Sequence, residues 1–203
     1  MSDRAAATRG KLIDATIATL REHGIAGVSA RTIAAAGGVN QALVFYHFSS
    51  VDTLVGEACL ATTRRRVESF GPRLDAVGGF AELVEVAGEI SAEERDTGNV
   101  RVLAQALAGA QTNPALAEAA GAALRLWTDR VEVTVRRILP GSVLADLFDA
   151  RELAELVSAA FVGIELTGAT GTAPGLTRIA ELAAVLDGLG PVARRAVRSA
   201  LRR

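Results

Sequence analysis

The stretch "GGVNQALVFYHF", residues 37–48, decides how the N-terminal part of the chain is interpreted. Two glycines end one helix, and Asn40 is a favoured N-cap residue for the next. The segment after the cap is short, yet it carries Leu43, Phe45 and Tyr46. A helix this short buries little surface, and an exposed helix this apolar favours aggregation. The surrounding sequence must therefore indicate which side chains face inward and what the others contact.

The sequence before this stretch predicts two helices. Apolar residues recur at helical spacing over residues 8–23, which indicates an amphipathic helix, and Gly24 ends it. Ser29 is a favoured N-cap for a short second helix over residues 30–36. In the third helix, capped by Asn40, an apolar residue before the cap and one four positions after it form a hydrophobic staple, Val39 and Val44.

The rest of the chain is predicted to be helical as well. Ala, Leu, Arg and Glu dominate, and β-branched residues rarely alternate with polar ones. A fourth helix capped by Ser49 or Ser50 should run towards Phe70, and a Gly-Pro pair at 71–72 should end it. The later helices are predicted at residues 79–94, 99–111, 114–138, 150–169, 176–188 and 191–202. The predicted fold class is all-α, with about nine or ten helices.

Two short helices joined by a glycine-bearing turn form a helix-turn-helix, whose second helix can enter the major groove of DNA. Apolar residues of the second and third helices are placed to pack against the first: Ile33, Val39, Val44 and Phe48 against Ile13, Ile17 and Leu20. The side chains left near the exposed half of the third helix can meet thymine methyl groups or adenine, and those further round can donate to phosphates. A short helical hairpin that is simply part of a core remains the alternative at this point.

Composition restricts the function classes. The chain has 203 residues, a net charge of −1 and 50% hydrophobic residues, which allows a sizeable core. Residues 1–50 carry a net charge of +2 and the remainder −3. The single cysteine, Cys59, excludes an internal disulfide framework, and neither a signal peptide nor a membrane-spanning run is recognisable. We therefore expect a cytoplasmic protein that does not bind a membrane.

Other chemistries have little support. His23, His47 and Cys59 lack the spacing of a zinc site, so no metal is expected. The sequence "GATGTAPG", residues 168–175, lacks the preceding strand and the Gly-Lys-Ser/Thr ending of a nucleotide-binding loop. No cofactor or catalytic residue is expected, and the chain is not predicted to be an enzyme. An all-α enzyme and a helical protein-interaction module without sequence-specific DNA binding remain the alternatives.

Residues 8–54, "TRGKLIDATIATLREHGIAGVSARTIAAAGGVNQALVFYHFSSVDTL", resemble the DNA-binding head of the TetR family of transcriptional regulators. The resemblance covers about a quarter of the chain and runs without gaps through Ala15, Gly24, Ile33-Ala34, Gly38-Val39 and Tyr46-His47-Phe48. It implies a helix-turn-helix DNA-binding domain over residues 1–50 and a helical ligand-binding and dimerisation domain over residues 51–203. The implied function is that of a repressor that binds a palindromic operator as a homodimer and is released by a small-molecule effector.

The resemblance also implies roles for individual residues. The base-reading positions are Arg31, Gln41, Ala42, Leu43 and Phe45. The phosphate-contacting positions are Ser29, Thr32, Asn40, Tyr46 and His47, and Arg4, Arg9 and Lys11 are placed to add contacts. Val51 stands where members of the family often have a lysine, so one phosphate contact is expected to be missing.

For the body, the resemblance implies dimerisation through the helices near residues 150–169 and 176–188. The first of these is apolar over most of its faces, which is typical of a central or interface helix, and the core of a monomer is the alternative. A ligand pocket is implied among the middle helices, with these candidate lining residues: Cys59, Thr62, Phe80, Leu103, Gln105, Trp127 and Phe161. An ordinary core position is the favoured interpretation of each of them, and a pocket-lining role is the alternative.

Overall fold

The computed structural model describes residues 3–168 and 176–201. Within these ranges the chain forms ten α-helices and two short 3₁₀ turns and contains no β-strand, so the all-α prediction is confirmed. The helices are α1 (Asp3–His23), α2 (Ala30–Ala36), α3 (Ala42–His47), α4 (Val51–Ala76), α5 (Phe80–Asp96), α6 (Asn99–Ala110), α7 (Pro114–Ile138), α8 (Ala150–Gly168), α9 (Leu176–Asp187) and α10 (Pro191–Leu201). The 3₁₀ turns cover Ile25–Gly27 and Val143–Asp146. The Gly-rich sequence at 169–175 lies outside the described residues.

The predicted helix end at the Gly71-Pro72 pair is wrong, because α4 continues through Pro72 to Ala76. A proline inside a helix removes one backbone hydrogen bond and strains the preceding turn. Here the residues on either side, Phe70 and Leu74, are only 1% and 2% exposed. Burial of their side chains in a shared core outweighs the local cost of the proline. The chain leaves the helix only before the following pair of glycines.

The described residues form two compact units, and three helices, α4, α5 and α7, contribute to both. The first unit contains the residues up to Arg66 together with Glu94–Leu126, and the second contains Val67–Glu93 and the residues from Trp127 onwards. The first half of α4 thus belongs to the unit that holds α1, α2 and α3. A domain boundary near residue 50 remains a prediction.

The core of the first three helices has the composition expected from the sequence. Apolar side chains of α1, α2 and α3 form one buried cluster that includes Ile13, Ile17, Ile33, Val44 and Phe48, with Val39 packed against it. The prediction for Leu20 is wrong. Its buried side chain belongs to a second cluster, formed with residues of α4, α6 and α7 that include Val55, Val102 and Leu116. Leu20 lies near the end of α1, where it packs with these residues of α4, α6 and α7.

The second unit has its own core. Buried residues from α4, α5, α7, α8 and α9 form a single cluster that includes Phe70, Leu83, Val135 and Leu153. Trp127 packs against this cluster, and its ring stacks on that of Phe70 with 6.0 Å between the ring centroids.

Candidate nucleic-acid interface

The N-terminus of α2 is fixed by a reciprocal capping box. The Ser29 hydroxyl accepts a hydrogen bond from the Thr32 backbone N–H at 3.1 Å, and the Thr32 hydroxyl accepts one from the Ser29 N–H at 2.9 Å. The Thr32 hydroxyl also donates to the carbonyl of Gly27 at 2.8 Å. Both hydroxyls are exposed and were predicted to contact phosphates. In this structure they hold the turn that precedes α2.

The position of α3 is set by Asn40 and Val39. The N-cap position directly before α3 is occupied by Gln41 and not by Asn40 as predicted, but the Asn40 side-chain oxygen accepts from the backbone N–H of Ala42 at 2.8 Å and so supplies the capping hydrogen bond from one residue earlier. The apolar side chains on either side of the cap, Val39 and Val44, both join the core of the first three helices. The cap and this staple together fix the entry of the chain into α3.

The outward face of α3 carries an unusual combination of residues. Gln41 and Ala42 are exposed, Phe45 is 56% exposed and Tyr46 is 77% exposed. The rings of Tyr46 and His47 meet edge to face with 4.9 Å between their centroids. Two large aromatic side chains in contact with solvent on one short helix are unexpected for a residue class that is usually buried.

Leu43 differs from its neighbours among the predicted base-reading residues. Its side chain is half-buried and packs against the core formed by the first three helices. Arg31, on α2, is exposed. Four of the predicted base-reading residues are therefore exposed to solvent, namely Arg31, Gln41, Ala42 and Phe45, and Leu43 is half-buried.

The cations of the first unit are not equivalent. Arg4 and Lys11 are exposed, whereas Arg9 forms an ion pair with Glu57 at 2.9 Å and lies over the Phe48 ring, 4.8 Å from its centroid. Arg9 is therefore engaged within the protein. Val51, which stands at the position of the missing lysine, packs against the core.

Two contacts of α6, one with the end of α1 and one with the glycine that follows it, were not predicted from the sequence. The Arg21 guanidinium donates from Nε and Nη2 to the side-chain oxygen of Asn99, at 3.2 and 2.6 Å, and Asn99 is buried. Gly24, with φ of 69°, approaches the amide of Gln105 so closely that a Cβ atom would lie 3.2 Å from its Nε2. No local sequence pattern marks such pairs, because their members are far apart in the chain.

The predicted ligand-pocket residues are divided between the two units. Cys59, Thr62, Leu103 and Gln105 lie in the first, and Phe80, Trp127 and Phe161 lie in the second. Cys59 is buried, and burial raises the pKa of its thiol to about 11. The Thr62 hydroxyl donates to the carbonyl of Ala58 at 2.9 Å, and Phe80 is buried in the core of the second unit. A role of these residues in ligand binding remains a prediction.

The second unit contains a buried carboxylate, Glu165 on α8, which is only 3% exposed. The hydroxyl of Ser91 on α5, itself fully buried, donates to it. A charged group at such a depth is rare unless it is hydrogen-bonded, because desolvation of the charge is costly. The sequence offers only a weak sign of this pair, a glutamate within an otherwise apolar stretch.

Large apolar side chains are exposed on α8 and α9. On α8, the exposed residues recur at helical spacing and include small ones: Leu156, Ala159, Ala160, Gly163 and Leu166. On α9, Leu182 and Val185 are each 61% exposed. An apolar stripe of this kind on a soluble helix is typical of a surface that packs against another helix.

Neither membrane spans nor metal sites stand out in the described ranges. None of the helices is long and apolar enough to cross a bilayer. No group of three or more His, Cys, Asp or Glu side chains in residues 3–168 and 176–201 is arranged to hold a metal ion.

Comparison with known proteins agrees with this geometry. Residues 12–58 match the family model described as bacterial regulatory proteins, tetR family. Among solved structures, a protein assigned as a transcriptional regulator from Pseudomonas aeruginosa PAO1 is 27% identical, with a TM-score of 0.66 over 93% of this chain and 92% of its own. A TetR-family member from Streptomyces coelicolor A3 is also 27% identical, with a TM-score of 0.63 over 88% of this chain and 97% of its own.

A more distant structure shares the fold. The transcriptional regulator FadR from Bacillus subtilis, solved with stearoyl-CoA, is 13% identical, with a TM-score of 0.65 over 89% of this chain and 99% of its own. No curated protein matches the sequence.

A helix-turn-helix followed by an all-helical body defines a one-component DNA-binding regulator. Residues 12–58, from within α1 to the start of α4, match the tetR family model, and the fold of the described residues is that of solved transcriptional regulators, so the chain is a DNA-binding transcriptional regulator with a TetR-type N-terminal segment.

Proposed function

We propose that this regulator is a repressor that binds a palindromic operator as a homodimer and is released from DNA by a small-molecule effector. The observation that carries the proposal is the outward face of α3, where Gln41, Ala42, Phe45 and Tyr46 contact solvent above a fully packed core. These side chains are not buried in the core, and they lie at the second helix of a helix-turn-helix, the helix that enters the major groove in proteins with this motif.

The dimer is supported by the exposed apolar residues of α8 and α9. A single head reads few base pairs, and selectivity over a genome generally requires two heads on one dimer. The exposed stripe on α8 combines large residues with Ala159, Ala160 and Gly163, which permit close approach of a second helix. We infer that α8 and α9 form the homodimer contact, as expected from the sequence.

The effector is supported by the buried polar groups of the body and by the relatives. FadR was solved with stearoyl-CoA, and EbrR, which is 24% identical with a TM-score of 0.63, is a multidrug binding protein solved with imidazole. Pairs such as Ser91 and Glu165 can orient a ligand within apolar surroundings. The effector must bind the form that does not bind DNA more tightly than the form that does. The difference between these two binding free energies must be comparable to the free energy of DNA binding that is lost. The identity of the effector and the residues that line its pocket belong to this proposal.

The location and the absence of catalysis are also part of the proposal. We expect the regulator to act in the cytoplasm, where its operator is, without a cofactor and without catalytic activity. The DNA-binding reaction needs no covalent chemistry, because contacts to phosphates and base edges suffice.

The salt dependence of DNA binding should be moderate. Three cations of the head are exposed, namely Arg4, Lys11 and Arg31, while Arg9 is held by Glu57. If all three met phosphates in both heads of a dimer, the logarithm of the binding constant would fall with the logarithm of salt concentration with a slope of about −5. A markedly steeper slope would show that phosphate contacts arise outside the head.

The direct test is binding of the purified protein to the DNA upstream of its own gene, followed by fluorescence anisotropy at two salt concentrations. Tight binding that survives random competitor DNA, with two protomers per site, is the expected result. Weak binding to both DNAs that disappears with salt would contradict the proposal for that region, and a selection from random duplexes would then test for an operator elsewhere.

A further inference from the structure

We propose that the protein recognises its operator through the C5-methyl groups of thymine, with Phe45 as the side chain that determines this specificity. The inference rests on the proposed function and names the chemistry that the reading face requires in its DNA. Nothing in the family match or in the solved relatives specifies which base edges this chain reads.

The first observation is that the exposed face of α3 is apolar at its centre. Phe45 is 56% exposed, although every other phenylalanine placed in a core of the described residues is buried or half-buried. Ala42 lies one helical turn before Phe45 and is exposed too. A side chain at this spacing shares one face of the helix with it, so a methyl-sized and a ring-sized apolar group stand side by side.

The second observation concerns Leu43, which packs against the core of the first three helices. Its side chain is therefore held by the protein and helps to fix the orientation of α3. This leaves Phe45 and Ala42 as the apolar groups available to DNA, with Gln41 beside them as the polar one.

The major groove contains one apolar group, the C5-methyl of thymine. Guanine presents two acceptors there and cytosine presents a donor. An aromatic ring pressed against those polar edges removes their water and returns no hydrogen bond, which penalises G·C pairs. Against a thymine methyl, the same ring gains buried apolar surface.

Gln41 complements this preference. A glutamine side chain can pair with N6 and N7 of adenine, the base opposite thymine. Gln41 directly precedes α3 with helical backbone angles, and Phe45 lies four residues later, one helical turn away. The two side chains therefore lie on the same side of the helix and can contact neighbouring A·T pairs. The predicted half-site therefore contains consecutive A·T pairs at the positions under α3.

The experiment begins with a selection of bound sequences from a pool of 30-base-pair random duplexes, a length of about three helical turns, using the full-length protein. The enriched duplex is then synthesised with uracil in place of every thymine in the half-sites. Uracil retains the hydrogen-bonding edge of thymine and lacks only the methyl group. Affinities for the two duplexes are compared by fluorescence anisotropy.

We expect the uracil duplex to bind about fourfold more weakly for each contacted methyl, and therefore about fifteenfold more weakly for one contact in each half-site. Phe45→Ala should bind the thymine duplex more weakly and show a thymine-to-uracil ratio near one. Tyr46→Ala, which alters the neighbouring exposed aromatic residue, should lower both affinities and keep the wild-type ratio. Circular dichroism establishes that both variants are folded.

Equal affinity of the wild type for the thymine and uracil duplexes would overturn the inference while leaving the proposed function intact. A Phe45→Ala variant that keeps the full uracil penalty would show that another residue reads the methyl groups. Failure of the selection to enrich any sequence would count against the proposed function itself, and the inference would fall with it.

Discussion

The molecule exposes apolar side chains in two places, and the two surfaces are built differently. On α3, a helix of six residues, Phe45 lies with Tyr46 and His47, and Gln41 directly precedes the helix. On α8, the exposed Leu156 and Leu166 are connected at helical spacing by exposed Ala and Gly residues, and α9 exposes Leu182 and Val185. The first surface is narrow and bordered by hydrogen-bonding groups, and the second is long and uninterrupted.

This difference indicates two kinds of partner. A base-pair edge presents a methyl group surrounded by donors and acceptors, and it suits a narrow apolar patch with polar borders. A second helix presents a continuous ridge of side chains, and it suits a long stripe that contains small residues. Exposed apolar area alone would not separate these roles, whereas its spacing and its neighbours do.

The largest expected effect tests the long surface. The double substitution Leu156→Arg and Leu182→Arg places two charges on the proposed contact, where leaving them unpaired in a dimer is costly. We expect the variant to be monomeric by analytical ultracentrifugation. Because the second head then no longer binds as part of the same molecule, operator affinity should fall about a hundredfold or more.

Val133→Arg is the matched control for this experiment. Val133 is also an exposed apolar residue of the second unit, but it lies on α7 and away from the α8–α9 stripe in sequence. This variant should remain dimeric and keep its affinity. A monomeric Val133→Arg protein, or a dimeric double variant, would show that the subunit contact lies elsewhere.

The next effect tests whether the narrow surface depends on the core beneath it. Ile33 is fully buried in the cluster of the first three helices. Replacement of Ile33 by alanine should lower the free energy of unfolding by about 2–5 kcal/mol, through lost transfer energy and a residual cavity. Ile25→Ala, at a residue that is 40% exposed, should cost less. Urea denaturation followed by circular dichroism measures both, and equal losses would contradict the assigned core.

A smaller effect separates positioning from reading on the DNA-binding face. Tyr46→Ala should weaken binding to all sequences, because a phosphate contact carries no base information. Gln41→Ala and Arg31→Ala should instead change which base is preferred, at a cost of about 1–3 kcal/mol for the cognate site. Binding to a panel of operators with single base changes distinguishes the two patterns. Identical, sequence-independent losses in all three variants would remove the division of roles.

The sequence predicted most of the architecture, because its signals are local. The caps at Ser29 and Asn40, and the glycines between helices, act within a few residues, and the predicted helices from residue 99 onwards agree with the structure to within a residue or two. Pro72 misled the prediction because the helix around it is stabilised by burial of Phe70 and Leu74, which depends on the tertiary fold. Helix propensity gives way to packing in such cases.

The candidate DNA-binding face was partly predictable for the same reason. Helical periodicity separates Val44 from Phe45 and so indicates which side chain is buried. It does not reveal that Leu43 is shared between core and surface, or that Arg9 is held by Glu57 and the Phe48 ring. These contacts join residues that are distant in the chain, and the sequence alone does not show that they lie close together.

The smallest effect concerns Cys59, which is buried in the core of the first unit. Burial raises the pKa of its thiol above the ordinary value to about 11, so the folded protein holds this proton more tightly than the unfolded chain. The stability that the protonated thiol contributes is fully present below about pH 9 and is lost as the pH rises towards 11.

The same pKa shift predicts slow chemical labelling of Cys59. At pH 8 the thiolate fraction of the folded protein should be about a hundredfold below that of an unfolded chain, so a thiol reagent should react slowly until urea is added. Cys59→Ala is the control, since it removes this dependence between pH 9 and 11 and leaves DNA binding at neutral pH unchanged. Rapid labelling of the native protein would contradict this expectation, because it would show that the cluster around Cys59, which includes Leu20 and Val102, opens readily to the reagent.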